Sequence, residues 1–483
     1  MPDIHQNYVN GEWVGSETGD TIESWNPADP SDLIGEYQRS SEADAKSAIE
    51  AAAKASDEWT NTPGPERGRI LRAIGAELDA RSENIVETLV REEGKAYPEA
   101  AGEVGRAIDI FYYYAEKARD RGGEVKQSSS RNTRLQTREQ PLGVATIITP
   151  WNYPIAIPAW KIAPAIAAGN TLVWNPASET PEVARKLVEC FESAGLHDGV
   201  VNYVTGPGSE IGDSLIKHDA VDAVSFTGST AVGKHVYQTA TNNEKRVQTE
   251  MGGKNPTLVT DSADPEEAAE IVASGAFGVT GQACTATSRA IVDETVYDDF
   301  LDALVKQVET IDVGPGLGGY DMGPQVNVDE LESTLTYIDE AIEDGNELIA
   351  GGGVPEGDHV ADGYFVEPTV FGDVDRDDTI AQEEVFGPLV AVIPSSGFRE
   401  GLEIANDVQY GLSTSIVSKD NTEINQFIEE AEAGVVKINE KTTGLELHVP
   451  FGGLKHSSSN TYREQGDAGL DFFTTTKTVY HSY

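Results

Sequence analysis

From residue 143 onward the chain alternates short β-type runs with helical stretches, and no other feature limits its fold as tightly. The runs are GVATIIT (143–149), NTLVWN (170–175), GVVNYV (199–204), DAVSF (222–226) and RVQTE (246–250). Helical stretches of roughly 10–15 residues separate them, the pattern of a parallel sheet wound on both faces. A second α/β run begins at Asn255-Pro256-Thr257-Leu258-Val259 and continues to about residue 450. At 483 residues the chain is too long for one core, so two or three domains are expected.

The segment before this run is different. Residues 5–14 read as a hairpin, with Asn10-Gly11 as the turn between Tyr8-Val9 and Trp13-Val14. Ser41 can cap a helix running through Trp59, where Ala45, Ile49, Ala52 and Ala53 form one stripe. Further helical pattern covers about 64–80, 82–93 and 96–119. Two stretches fit neither unit: 122–141, with the alternating Leu135-Gln136-Thr137-Arg138-Glu139, and the tail from Asp471 to Tyr483. Both read as exposed strands, which need a partner.

Charge narrows the function classes. Asp and Glu number 82 against 35 Lys and Arg, a net charge of −47. Such a surface repels nucleic acid and anionic lipid, so neither is expected as a partner. Self-repulsion of this size strains a compact fold in dilute salt, whereas a Debye length of roughly 3 Å at 1 M salt removes most of it. A halophile's cytoplasmic protein is the expectation, with stability falling at low salt. The start, MPDIHQNYVNGEWV, carries no signal-peptide pattern, and the apolar stretch 155–169 is broken by Pro158, Lys161 and Pro164. Two cysteines, Cys190 and Cys284, do not make a disulfide framework. No metal site is expected.

A few residues carry possible chemistry. Cys284 follows Gly281-Gln282-Ala283, where a glycine allows a tight turn and small neighbours leave the sulfur reachable. Cys190 shares a helical stretch with Leu187 and Phe191 and reads as structural. Glu250 ends a β-type run and precedes Met251-Gly252-Gly253, the place where α/β sheets hold ligands. Asn152, in Thr149-Pro150-Trp151-Asn152-Tyr153-Pro154, could offer an amide N–H to a developing oxyanion or be a plain turn residue. Phe226-Thr227-Gly228-Ser229 leads from strand into helix, where free N–H groups suit a pyrophosphate.

Taken together, and in order, TPWNYP (149–154), AAGNTLVWNPAS (167–178), FTGSTAVG (226–233), EMGGKNP (250–256), GQACTATSR (281–289), EEVFGP (383–388) and PFGGLKHS (450–457) resemble the aldehyde dehydrogenase superfamily over nearly the whole chain. The resemblance implies an α/β fold: a Rossmann-like parallel-sheet cofactor domain (1–121 and 142–250), a second α/β catalytic domain (251–466), and oligomerisation strands (122–141 and 467–483) that join into a bridging sheet between subunits of a homodimer or homotetramer. It implies Cys284 as nucleophile, Asn152 and the Cys284 N–H as oxyanion hole, and Glu250 as the base that releases the acid. Lys161 and Glu464 match positions of cofactor placement and proton relay. Glu384 would hold the nicotinamide ribose and Phe386 flank the ring, with Thr149, Trp151, Asn175, Ser178, Gly208, Phe226, Gly228 and Ser229 as further cofactor contacts. Arg106, Tyr153 and Phe451 would line the substrate tunnel, where Arg106 could bind a far carboxylate.

Glu250 argues against the branch that passes its thioester to coenzyme A. Within the superfamily, GQACTATSR and residues 444–480 look most similar to α-ketoglutarate semialdehyde (2,5-dioxopentanoate) dehydrogenases; succinate semialdehyde or another aldehyde is the alternative substrate. Two positions depart from the pattern. Gly278 stands where related acid-semialdehyde enzymes often carry Arg, and Asn175 and Ser178 replace the lysine and acid of the adenosine-ribose contact. Losing the acid favours NADP over NAD, with NAD still usable. A thiol esterase and a catalytically silent structural protein are the readings from other classes.

Overall fold

The computed structural model describes residues 4–483. The central strand of its first sheet is apolar on both faces. Along Val144–Thr149, Ala145 and Ile147 enter one apolar cluster while Val144 and Ile148 enter another. Successive side chains point to opposite faces of a strand, so such a strand has to be covered twice. Helices Ala156–Ala168 and Pro181–Ser193 cover one face with Ile162, Ile166, Leu187 and Phe191. Helices Glu42–Asn61 and Gly208–Lys217 cover the other with Ile49, Ile211 and Leu215. Each such aliphatic or aromatic side chain stabilises the fold by roughly 1.5–3 kcal/mol.

The order in this sheet is Arg246–Glu250, Ala223–Thr227, Val144–Thr149, Thr171–Pro176 and Val201–Tyr203, all parallel, with the antiparallel hairpin Asn7–Val9/Glu12–Val14 on the far edge. The chain therefore builds outward from Val144–Thr149, then returns to lay Ala223–Thr227 on its other side. Strand order reverses between Thr149 and Thr227, and a crevice opens at those carboxyl ends. The hairpin turn is the expected one: Asn10 and Gly11 have φ of 54° and 82°, the two left-handed residues of a type I′ turn.

A second sheet runs Glu347–Ala350, Thr369–Gly372, Leu389–Ser395, Thr287–Asp293, Asn255–Val259, Ser413–Val417 and Val435–Ile438, parallel except for the first strand. The two stretches left over in the sequence find each other. Thr474–Ser482 pairs antiparallel with Thr133–Pro141 along its whole length, and Val125–Gln127 adds a third strand. The tail is not strand throughout, however. Gly466–Phe472 is helical and buries Leu470 and Phe472, so the strand begins only at Thr474.

Ser41 caps the helix Glu42–Asn61 as its sequence indicates, with Asp44 closing the reciprocal bond to the Ser41 N–H at 2.7 Å. The helices Gly64–Ala80, Ser82–Glu93 and Tyr97–Asp120 fall where the periodicity places them. Sequence reading passed over the antiparallel pair Thr21–Asn26/Asp29–Gln38. Its register shifts twice near Trp25, which breaks the alternation that would reveal a strand pair.

Candidate active site

The crevice holds a cavity of about 450 Å³. Thr149 and Trp151 line it from the end of one strand and Phe226, Gly228 and Ser229 from the end of its neighbour, together with Asn152, Cys284, Glu384 and Phe386. The topology explains the gathering: the first two groups leave adjacent strands at the reversal point. Trp151 and Phe386 meet edge to face, 5.4 Å between centroids at 90°. Ser229 stands at the N-cap of Thr230–Asn242 without a side-chain cap bond, so the first N–H groups of that helix lack an intrahelical or capping partner beside the cavity. The buried Thr227 hydroxyl is also unpartnered.

Cys284 is carried by a strained turn. Val279, Thr280 and Gly281 have φ of 52°, 57° and 68°. Left-handed backbone at β-branched residues costs on the order of 1–3 kcal/mol each and persists only where surroundings enforce it. Here the Val279 N–H donates to Glu99 Oε1 at 2.6 Å, and the Thr280 hydroxyl donates to the Gly323 carbonyl at 3.0 Å. Gly281 cannot be anything larger, since a Cβ there would stand 2.1 Å from the Gly387 carbonyl oxygen. The Asn152 amide donates to the Gln282 carbonyl at 2.8 Å, which leaves its second N–H for another acceptor. The thiol of the half-buried Cys284 is pushed well above its usual range by desolvation, then by the carboxylates of Glu384, Glu250 and Glu464.

Glu250 is buried at the end of its strand. Its carboxylate accepts from the Gly453 N–H at 2.9 Å and the Ser458 hydroxyl at 3.1 Å. Burial, then the neighbouring Glu464, raise its proton affinity far above that of an ordinary carboxyl, against the pull of Gly453 and Lys161. Beside it Lys161 pairs with Glu464 and donates to Ser225 Oγ at 2.9 Å, while Trp160 Nε1 donates to Glu464 at 2.8 Å. The glycines after Glu250 make room for Glu384: the Gly253 N–H donates to its Oε1 at 2.8 Å, and a Cβ on Gly252 would overlap its Oε2. Burial pushes the Glu384 carboxyl up to about 7.

Other candidates lie off the cavity wall. Asn175 is buried and spends both amide donors on the Val204 and Gly206 carbonyls, at 3.1 and 3.2 Å. Ser178 is half-buried and Gly208 is exposed at a helix start. Phe451 is buried, pairs its backbone with Glu464, and packs 6.3 Å from Trp160. Tyr153 lies over the Lys95 ammonium at 4.4 Å, and Arg106 reaches Gln465 Oε1 at 3.3 Å. Cys190 is buried in the core, its thiol pushed up to about 12 by burial. Sequence reading missed Val232, Met251, Glu330, Ser333 and Tyr337, all on the cavity wall. Glu330, Ser333 and Tyr337 recur at helical spacing along Val328–Glu343, a signal indistinguishable from a solvated polar face.

The sequence model described as the aldehyde dehydrogenase family matches residues 13–479. The chain belongs to the aldehyde dehydrogenase family. It is 64% identical over 483 residues to α-ketoglutarate semialdehyde dehydrogenase of Haloferax volcanii, covering 100% of both chains. It is 46% identical over 475 residues to α-ketoglutaric semialdehyde dehydrogenase of Bacillus subtilis, covering 98% of this chain and 97% of that one. Among solved structures, betaine aldehyde dehydrogenase from Staphylococcus aureus in complex with NAD+ superposes with a TM-score of 0.95 at 35% identity, covering 99% of this chain and 94% of that one. Membership makes this protein an aldehyde-oxidising enzyme that works with a nicotinamide dinucleotide. Among the described residues no helix is long and apolar enough to cross a membrane.

Proposed function

We propose that this dehydrogenase oxidises α-ketoglutarate semialdehyde to 2-oxoglutarate through a thioester on Cys284. The observation that carries the proposal is the single cavity shared by the Cys284 thiol, the Asn152 amide and Glu384, opening onto an uncapped helix N-terminus. The names of the Haloferax and Bacillus relatives support the choice of substrate.

In this reading the Cys284 thiol gives up its proton to solvent as its sulfur adds to the aldehyde carbon, and the carbonyl oxygen takes the charge against the second Asn152 N–H and the Cys284 N–H. A nicotinamide supplies the hydride acceptor when bound. Glu250 then takes a proton from water, whose oxygen attacks the thioester carbon, and the carbon–sulfur bond breaks to release the acid. Lys161 and Glu464, paired behind Glu250, are placed to take that proton onward. Arg106 meets the substrate's far carboxylate.

The cavity fits such a cofactor. The free helix N–H groups suit a pyrophosphate, the buried Thr227 hydroxyl lacks a partner, and the Glu384 carboxylate suits ribose hydroxyls. NADP is the preferred form in this reading, because Ser178 brings a hydroxyl where an acid would repel a 2′-phosphate. Asn175 pulls the other way, since it stands in place of a lysine and its amide already donates to the Val204 and Gly206 carbonyls. Glu330 on the same wall opposes a further negative charge, so the preference depends on salt screening.

The same reading divides the chain into a cofactor domain (1–121 and 142–250), a catalytic domain (251–466) and oligomerisation strands. The exposed Val125 and Tyr480 of the three-stranded sheet support a subunit contact in a cytoplasmic homodimer or homotetramer. The test is a semialdehyde screen at high salt with both cofactors. The highest kcat/KM is expected for α-ketoglutarate semialdehyde with NADP; a larger value for betaine aldehyde or an uncharged aldehyde would overturn the substrate assignment.

A further inference from the structure

Behind the active site, and outside its cavity, lies a group of buried charges with no part in the reaction as described. Lys95 is 1% exposed, directly before the helix Tyr97–Asp120. Its ammonium donates to Glu103 Oε2 at 2.6 Å and to the Asn152 carbonyl at 2.7 Å, and stands 3.7 Å from Glu93. Glu103 uses its other oxygen to accept the N–H groups of Ile155 and Ala156, at 2.9 and 3.1 Å. Burying these charges is expensive unless they are paired. A core that needed only volume would hold apolar side chains here.

The bonds close a ring. Lys95 holds the Asn152 carbonyl. The Asn152 amide donates to the Gln282 carbonyl at 2.8 Å, and the Gln282 N–H donates to the Val279 carbonyl at 2.9 Å. The Val279 N–H donates to Glu99 Oε1, and Glu99 Oε2 accepts from the Ala96 N–H at 3.2 Å, one residue from Lys95. One short stretch of chain, residues 95–103, thus grips Asn152 from one side and the left-handed turn ahead of Cys284 from the other. These are the two pieces whose separation sets the oxyanion geometry.

We propose that Lys95, with Glu99 and Glu103, is a positioning group that fixes Asn152 relative to Cys284. The inference rests on the roles given to those two residues under the proposed function. Burial lowers the proton affinity of Lys95, but the adjacent Glu103, then Glu93, raise it on balance, and its bonds to Glu103 and to the Asn152 carbonyl are as short as charge-assisted ones. Loss of the ring loosens the hole without touching the cofactor wall.

The test compares Lys95→Met/Glu103→Gln, which removes the charge pair together, with Glu99→Met, which removes the acceptor shared by the Val279 and Ala96 N–H groups. Misplacing a reacting group by about 1 Å costs on the order of 100-fold, so kcat is expected to fall roughly 30- to 100-fold in the first variant and about 10-fold in the second. KM for the aldehyde and Kd for NADP should stay within about threefold, a split that general loosening of the fold would not give. A kcat within about twofold of the parent in a folded variant, or equal losses in kcat, KM and Kd, would overturn the inference. Should the double variant fail to fold, Glu99→Met decides alone by the same criteria. Asn152→Ala and Cys284→Ala run in parallel. If both are inactive while the Lys95 and Glu99 variants keep full kcat, only this inference falls; if either stays active, the reading of the site falls and takes this with it.

Discussion

Gly281→Ala puts the whole account of the Cys284 turn at risk with one methyl group. Gly281 has φ of +68°, where an L-residue pays about 1–2 kcal/mol. Its new Cβ would stand 2.1 Å from the Gly387 carbonyl oxygen, whereas carbon–oxygen contacts settle near about 3.3 Å, so one chain must give by roughly 1.2 Å. The Gly387 side cannot give easily. Its carbonyl accepts from Leu389 N–H at 2.8 Å, and Phe386, just before it, packs on Trp151. The displacement therefore goes into Gly281–Cys284.

Overpacking of this kind costs about 1–3 kcal/mol more in stability. The larger effect is on rate, since a shift of about 1 Å at the nucleophile should lower kcat roughly 100-fold. The assay is steady-state reduced-cofactor formation beside cofactor Kd, which should hold within about threefold because the helix N-terminus is untouched. Gly102→Ala is the control. Nothing lies within 4 Å of its Cβ position on the helix Tyr97–Asp120, so activity should be unchanged and stability raised by up to about 1 kcal/mol. If Gly281→Ala kept a third or more of parental kcat with intact cofactor binding, the turn would not be what places the thiol.

Three further outcomes follow from the site. Glu250→Gln should give one burst of reduced cofactor and then stall; in the parent, thioester hydrolysis should rise with pH above the range of an ordinary carboxyl, because the raised carboxyl must lose its proton to act as base, and that rise should vanish in the variant. Steady turnover at the parental rate would remove Glu250 from that role. Arg106→Ala should raise KM for α-ketoglutarate semialdehyde by about 10- to 150-fold, the worth of a charge-assisted contact, and leave an uncharged aldehyde of similar length unaffected; equal effects on both would show that Arg106 reads no carboxylate. Ser178→Glu should turn the ratio of kcat/KM from NADP towards NAD by about tenfold or more, and an unchanged ratio would rule out an adenosine-ribose contact at this position.

Much of this arrangement was legible before any coordinates. Short β-type runs separated by helices point to a parallel sheet covered on both faces, and Glu250, at the end of one such run, marks the edge where ligands sit. Asn10-Gly11 and Ser41 declared their turn and cap because their side chains act locally. Lys95, Glu99 and Glu103 were not legible. Charges four residues apart read as a solvated stripe, and only the packing of Ala100, Val104 and Ala107 on the same helix shows that this stripe faces inward. Buried acids interleaved with buried alanines were the available signal. Asn175 was legible only in part: its place in the chain marks a cofactor contact, while the engagement of its amide by the Val204 and Gly206 carbonyls shows only in the fold.

The charge of the whole molecule bears on catalysis through the substrate. Glu330 lines the cavity, and the chain carries a net charge of −47. An anionic aldehyde must approach against that field, while a neutral aldehyde of the same length does not feel it. Screening separates the two, because the Debye length falls from about 10 Å at 0.1 M salt to about 3 Å at 1 M. The contact with half-buried Arg106, once made, is short-ranged and loses less to screening than the long-range repulsion does. With cofactor saturating, the ratio of kcat/KM for α-ketoglutarate semialdehyde to that for pentanal should therefore rise by about tenfold between 0.1 and 1 M KCl, the low end of electrostatic steering effects. Salt-induced stabilisation of the fold acts on both substrates and cancels in the ratio. A ratio that stays flat or falls would mean that the local field around Arg106, and not the acidity of the chain, governs how the substrate reaches Cys284.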